Sequence, residues 1–237
     1  MKLSKIILAC ATAACLGAYS PRPAQAAVIT INNYSFENAT GYWADASPVS
    51  SWQHNGSNLT SGGSYNTNVA LIGSRTGGNG SNMEDVHADS GSSGTVTGTV
   101  WVGTNSLGTY TANTTYSLTV SVSVGVKTLT LNSIIALGTD GTNPGSALAS
   151  TTTNFNTLST TAFQDITLTL DTSVVTSAVG QNIVVLLEQN VMTGSHNGQE
   201  LFYDNVRLTS AVPEPATWGL IAFSLTAVMV CHRRRNS

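Results

Sequence analysis

Between Tyr116 and Val124 the chain alternates strictly. Leu118, Val120, Val122 and Val124 fall on one side of an extended backbone, and Ser117, Thr119, Ser121 and Ser123 on the other. Side chains repeat every two residues in a strand and every 3.6 in a helix, so this segment predicts a half-buried strand. The pattern recurs in Phe163–Leu170, where Ile166, Leu168 and Leu170 oppose Thr167 and Thr169. It recurs again in Leu129–Leu137, in Thr95–Val102 and in Leu201–Thr209. Val28–Ile31 and Val69–Ile72 are shorter examples. Ile183–Leu187 is apolar on both faces, as a central strand is. Turn-forming clusters such as Gly77-Gly78-Asn79-Gly80 and Thr139-Asp140-Gly141-Thr142-Asn143-Pro144-Gly145 separate these runs. Short strands punctuated in this way predict an all-β, two-sheet antiparallel β-sandwich.

The two ends read differently. Lys2 and Lys5 precede an apolar run, Ile6 to Ala18, and Ala24-Gln25-Ala26 offers a small-residue cleavage site. This is the layout of a secretory signal peptide over residues 1–26. A rival reading makes Cys15 a lipidated cysteine, although Thr12-Ala13-Ala14 lacks the large aliphatic residue expected there. At the other end Pro213-Glu214-Pro215 is followed by an apolar run from Ala216 to Cys231, then His232 and Arg233-Arg234-Arg235. That order resembles the PEP-CTERM sorting signal of Gram-negative bacteria. The resemblance implies an exosortase-type protease as a transient partner, and a single apolar helix in the inner membrane over residues 212–237. It also implies final residence at the cell surface or in the extracellular matrix, alongside exopolysaccharide. A bilayer core needs about 20 apolar residues in a helix. The run is slightly shorter, which leaves open whether the tail is a retained anchor or is removed.

The remaining domain, residues 27–211, is acidic. Arg75, Lys127 and Arg207 are its basic residues against eleven acids, a net charge of −8 with histidine neutral. Three scattered cations make no nucleic-acid surface. Cys10, Cys15 and Cys231 all lie in the terminal segments, so the domain has no disulfide.

Asn33-Tyr34-Ser35-Phe36-Glu37 at the start and Phe202-Tyr203-Asp204-Asn205-Val206-Arg207-Leu208 at the end resemble the terminal strands of galactose-binding-like jelly rolls. Many carbohydrate-binding modules have that fold. Thr109–Leu118 is similar to a recurrent strand entry of such cargo domains. Asp204 shares the parity of Phe202, Val206 and Leu208, which directs its carboxylate toward the core. A carboxylate placed there needs a partner. The resemblance implies one structural Ca2+ held by Glu37 and Asp204; the alternatives are loop amides or a pair with Arg207.

Catalytic motifs are sparse in the sequence. His54, His87 and His196 lack zinc-ligand spacing. Met83-Glu84-Asp85-Val86-His87 is the densest titratable cluster, and beside a Gly/Ser-rich stretch it reads as a solvated loop. Ser90-Gly91-Ser92-Ser93-Gly94 is not a nucleophile elbow. The aromatics offer more. Tyr42, Trp43 and Trp52, with Gln53 as polar partner, form a candidate sugar-binding set, against a competing role for Trp52 in core packing. Trp101 faces away from Val100 and Val102, toward either a second layer or the surface. These observations lead to the expectation of a non-catalytic exported protein that engages extracellular polysaccharide. A structural matrix protein without a sugar site is the alternative, and a glycoside-active enzyme the third.

Overall fold

A computed structural model describes residues 26–37, 52–57, 64–89, 98–125, 132–191 and 200–212. The signal peptide, Tyr42, Trp43, His196 and the tail from Pro213 to Arg235 lie outside the described residues. No helix among the described residues is long and apolar enough to cross a membrane.

Eleven strands are described: β1 Ala27–Ile29, β2 Trp52–Ser57, β3 Ser64–Leu71, β4 Asn82–Asp89, β5 Gly98–Thr104, β6 Thr115–Val124, β7 Asn132–Gly138, β8 Ala147–Asn154, β9 Gln164–Asp171, β10 Val184–Val191 and β11 Glu200–Ala211. All strand pairs are antiparallel. One sheet runs β3-β4-β11-β6-β9, with β1 beside the far end of β11. The other runs β2-β5-β10-β7-β8. The expected two-sheet antiparallel sandwich is the fold, within the unit Ala26–Ala211.

The alternating segments supply the core. Leu118, Val120, Val122 and Val124 are fully buried and meet Val100, Val102, Ile135, Leu137, Val185 and Leu187 from the other sheet. Burying each such side chain contributes about 1.5–3 kcal/mol. β10, the run that is apolar on both faces, is the central strand of its sheet.

Two local readings need correction, and one strand is additional to those predicted. Met83–His87 is not a solvated loop but part of β4, with Met83, Glu84, Asp85 and Val86 all buried. Its Val86 enters the core and its Met83 a second apolar cluster with Ile72, Phe163 and Phe202, so both faces of this strand are covered. The additional strand is β8, whose Thr-rich run suits an edge position because threonine is β-branched. The parity argument for β11 also breaks. Register shifts between Asp204 and Arg207, where Asn205 adopts φ +48°. Leu201 and Tyr203 point into the core before this bulge, and Val206 and Leu208 do so after it. Phe202 and Asp204 therefore face the other way from Val206. A bulge inserts one residue and reverses the facing of everything beyond it.

Candidate active site

β10 carries one acid at the end of an apolar run, Val184-Val185-Leu186-Leu187-Glu188. Val185 and Leu187 enter the core, so Val184, Leu186 and Glu188 face outward from the sandwich. Glu188 is registered with Trp101 on β5 and with Ile134 on β7, which puts all three on one face. Trp101, Ala136, Val184 and Leu186 form an apolar cluster there. Glu188 is 5 % exposed and Trp101 7 %. Burial pushes the Glu188 carboxyl up to about 7. A group so placed is about half protonated at neutral pH. It combines a transferable proton with an aromatic and aliphatic wall.

The β7–β8 connection closes one end of this face. Its backbone lies against β5 so closely that a Cβ on Gly103 would stand 2.2 Å from the Gly141 carbonyl oxygen. The loop is tied internally. Asp140 accepts from the Thr142 amide and hydroxyl at 2.9 and 2.7 Å, and Ser146 Oγ accepts from the Asp140 amide at 3.0 Å. Asn143 accepts from the Gly145 amide at 2.9 Å, capping the short 3-10 turn Pro144–Ser146.

Glu37 and Asp204 come together elsewhere, at the Gly-rich loop before β4. Glu37 Oε1 accepts from the Ser81 and Asn82 amides at 2.8 and 2.7 Å. Asp204 Oδ2 accepts from the Asn79 amide at 2.5 Å, and Oδ1 from the Asn205 amide at 2.6 Å. The two carboxylates grip one turn from opposite ends. Glycine is required in it: a Cβ on Gly80 would lie 2.4 Å from Glu37 Cδ, and one on Gly78 3.0 Å from Asp204 Oδ2. Burial raises Asp204 to about 6; the two amide bonds pull it down, and the Glu37 charge pushes it further up. Of the partners weighed for Asp204, loop amides are present, whereas Arg207 pairs with Asp165 at 2.7 Å. Among the described residues no three histidine, cysteine or acidic side chains gather as a metal cluster.

Trp52 is in the core, 2 % exposed, with its ring tilted against Phe36 at 5.0 Å. Gln53, the next residue along β2, is registered with Gly103 and so shares the outer face of Trp101. Its amide donates to Asn105 Oδ1 at 2.9 Å. Glu188 was missed in the sequence. The signal for it was a lone acid closing an apolar run, a position where ionisation is costly.

The family model for HpiC1-like proteins, described as HpiC1 cyclase, matches residues 27–209. The chain belongs to the HpiC1-like cyclase family. A cyclase from Fischerella sp. TAU has a similar solved structure, with TM-score 0.55 and 21 % identity over 81 % of this chain and all of that one. A Fischerella sp. TAU cyclase in complex with 4-(1H-indol-3-yl)butan-2-one aligns at TM-score 0.53 and 18 % identity, over 80 % of this chain and all of that one. A Stig cyclase from the same source, bound to (3Z)-3-(1-methyl-2-pyrrolidinylidene)-3H-indole, aligns at 0.52 and 20 %, over 78 % of this chain and 98 % of that one. No curated protein matches the chain in sequence. Membership of a cyclase family overturns the expectation of a non-catalytic, polysaccharide-engaging or matrix protein. The sequence carries no recognised catalytic motif. An acid activated by burial alone leaves no motif.

Proposed function

We propose that this HpiC1-like domain is an enzyme that closes a ring in an apolar, indole-type substrate, with Glu188 as its proton donor. The supporting observation is a carboxyl held near neutrality beside Trp101 and an aliphatic wall. A carboxylic acid whose pKa is raised by an apolar setting keeps its proton at neutral pH, and Brønsted behaviour favours a donor whose pKa lies near the working pH. In the reaction the Glu188 O–H bond breaks and a C–H bond forms on an unsaturated carbon of the substrate. A second π bond supplies the electron pair for the new ring bond. The proton then lost from the ring returns to the carboxylate. The sum is an isomerisation that needs no oxidant or metal step. Trp101 and the Val184–Leu186 surface would shield the cationic intermediate from water.

The test is turnover of indoles with an unsaturated side chain by wild type, Glu188→Gln and Glu188→Asp. Replacing the acid by glutamine should cost at least about 100-fold in kcat, the usual worth of a general acid, with aspartate retaining part of it. Full activity in Glu188→Gln would refute the assignment. Binding of 4-(1H-indol-3-yl)butan-2-one, followed by calorimetry, reports separately on the indole preference.

The proposal extends to two further points. A structural Ca2+ between Glu37 and Asp204 would use the lone pair left on each Asp204 oxygen, the second Glu37 oxygen and main-chain carbonyls, all hard oxygen ligands. A melting temperature that falls in EDTA supports it, and an indifferent melt removes it. Export, with sorting through Pro213–Pro215 and Arg233–Arg235, would place the enzyme outside the inner membrane; fractionation of cells with and without the tail tests this.

A further inference from the structure

We propose that Tyr203 is the positioning residue for Glu188, reaching across the core from the opposite sheet to hold the main chain behind the acid. This rests on the cyclase reading above. Tyr203 is on β11 and is fully buried. Its hydroxyl donates to the Glu188 carbonyl oxygen at 2.5 Å. A phenol has a single hydrogen, so the Ser133 hydroxyl, 3.1 Å away, acts as donor to the phenol oxygen. Ser133 is on β7, one residue before Ile134, which is registered with Glu188. One buried hydroxyl thus ties β10 and β7 together at the row of residues that carries the acid. Core packing alone asks only for an apolar ring at this position. The bonded hydroxyl adds a fixed direction.

The molecule contains its own control. Tyr110 is also buried, and its hydroxyl donates across to the Gly138 carbonyl at 3.1 Å. That bond ends at a strand terminus with no titratable group, whereas the Tyr203 bond ends on the residue with the proton. On the strands flanking β10, the residues registered with Glu188 are Trp101 and Ile134, which do not titrate. Across the core the titratable groups on its side are Tyr203 and, registered with Tyr203 on β4, Glu84. The Glu188 charge is felt at Tyr203, whose phenol is raised by burial first and by that charge in addition.

The experiment uses protein labelled with 13C at glutamate carboxyls, with the Glu188 signal assigned by its loss in Glu188→Gln. Its titration is followed in wild type, Tyr203→Phe, Ser133→Ala and Tyr110→Phe, and turnover is measured in parallel. Without the phenol hydroxyl the Glu188 carbonyl loses its tie to the opposite sheet, the strand relaxes and water reaches the carboxyl. In Tyr203→Phe the midpoint should fall by about one unit or more from near 7. The kcat should fall about tenfold with KM changed by less than about twofold. Ser133→Ala should move the midpoint the same way by less, and provides the test if Tyr203→Phe does not fold. Tyr110→Phe should lower the melting temperature without moving the midpoint. An unmoved midpoint in both Tyr203→Phe and Ser133→Ala would overturn the inference, as would an equal shift in Tyr110→Phe. Retained turnover in Glu188→Gln would instead overturn the assignment of Glu188 as proton donor, leaving the midpoint comparison to judge Tyr203 by itself.

Discussion

Asp204 and Glu188 are buried carboxylates on opposite sheets, and burial raises both. Their surroundings differ. Asp204 accepts two main-chain amides and shares a glycine-rich turn with Glu37, so its oxygens are engaged in holding the fold together. Glu188 is raised by burial alone, and it shares its face with a tryptophan. The comparison teaches how to tell two kinds of buried acid apart. One whose lone pairs are filled by amides is a fastener. One left in an apolar setting keeps its proton to neutral pH and can give it away.

The comparison is sharpened most by stability against pH. Glu188 is raised above its ordinary 4.5, so its ionisation costs more in the folded state than in the unfolded one. The penalty is absent below about pH 4 and complete above about pH 7, where it reaches about 3 kcal/mol. Urea unfolding at pH 5 and pH 8 should therefore show a loss in wild type that is smaller in Glu188→Gln by about that amount. Asp204→Ala acts on the other acid. It removes the acceptor of the Asn79 and Asn205 amides and should cost about 2 kcal/mol, read as a lower denaturant midpoint. Glu37→Ala should cost about 1 kcal/mol, because the Ser81 and Asn82 amides it releases are near water. Smallest is Arg207→Ala. The pair with Asp165 is 44 % and 53 % exposed, and its loss should cost less than about 1 kcal/mol.

How much of this was legible in the sequence depends on the periodicity of each segment. The alternation in Tyr116–Val124 and Phe163–Leu170 identified β6 and β9 and their inward residues, because nothing interrupts the period of two there. The facing of Phe202 and Asp204 was not legible: a bulge at Asn205 changes parity without any change in composition. β4 was hidden for a different reason. Glu84 and Asp85 look solvated in isolation, and they are buried because both faces of β4 are covered in the folded sandwich. The Glu37–Asp204 pairing was readable through a family resemblance, but its amide partners come from a loop some 40 residues from Glu37 and more than 120 from Asp204. Glu188 was readable only as an anomaly. Its registration with Trp101 is a property of the sheet.

The rate of cyclisation as a function of pH, in wild type and Glu188→Gln, tests the central claim most directly. If Glu188 donates the proton, wild-type kcat falls as pH rises through about 7, and the glutamine variant is slower and flat across the same range. A wild-type profile with no inflection there, or a glutamine variant that tracks it, would contradict the account.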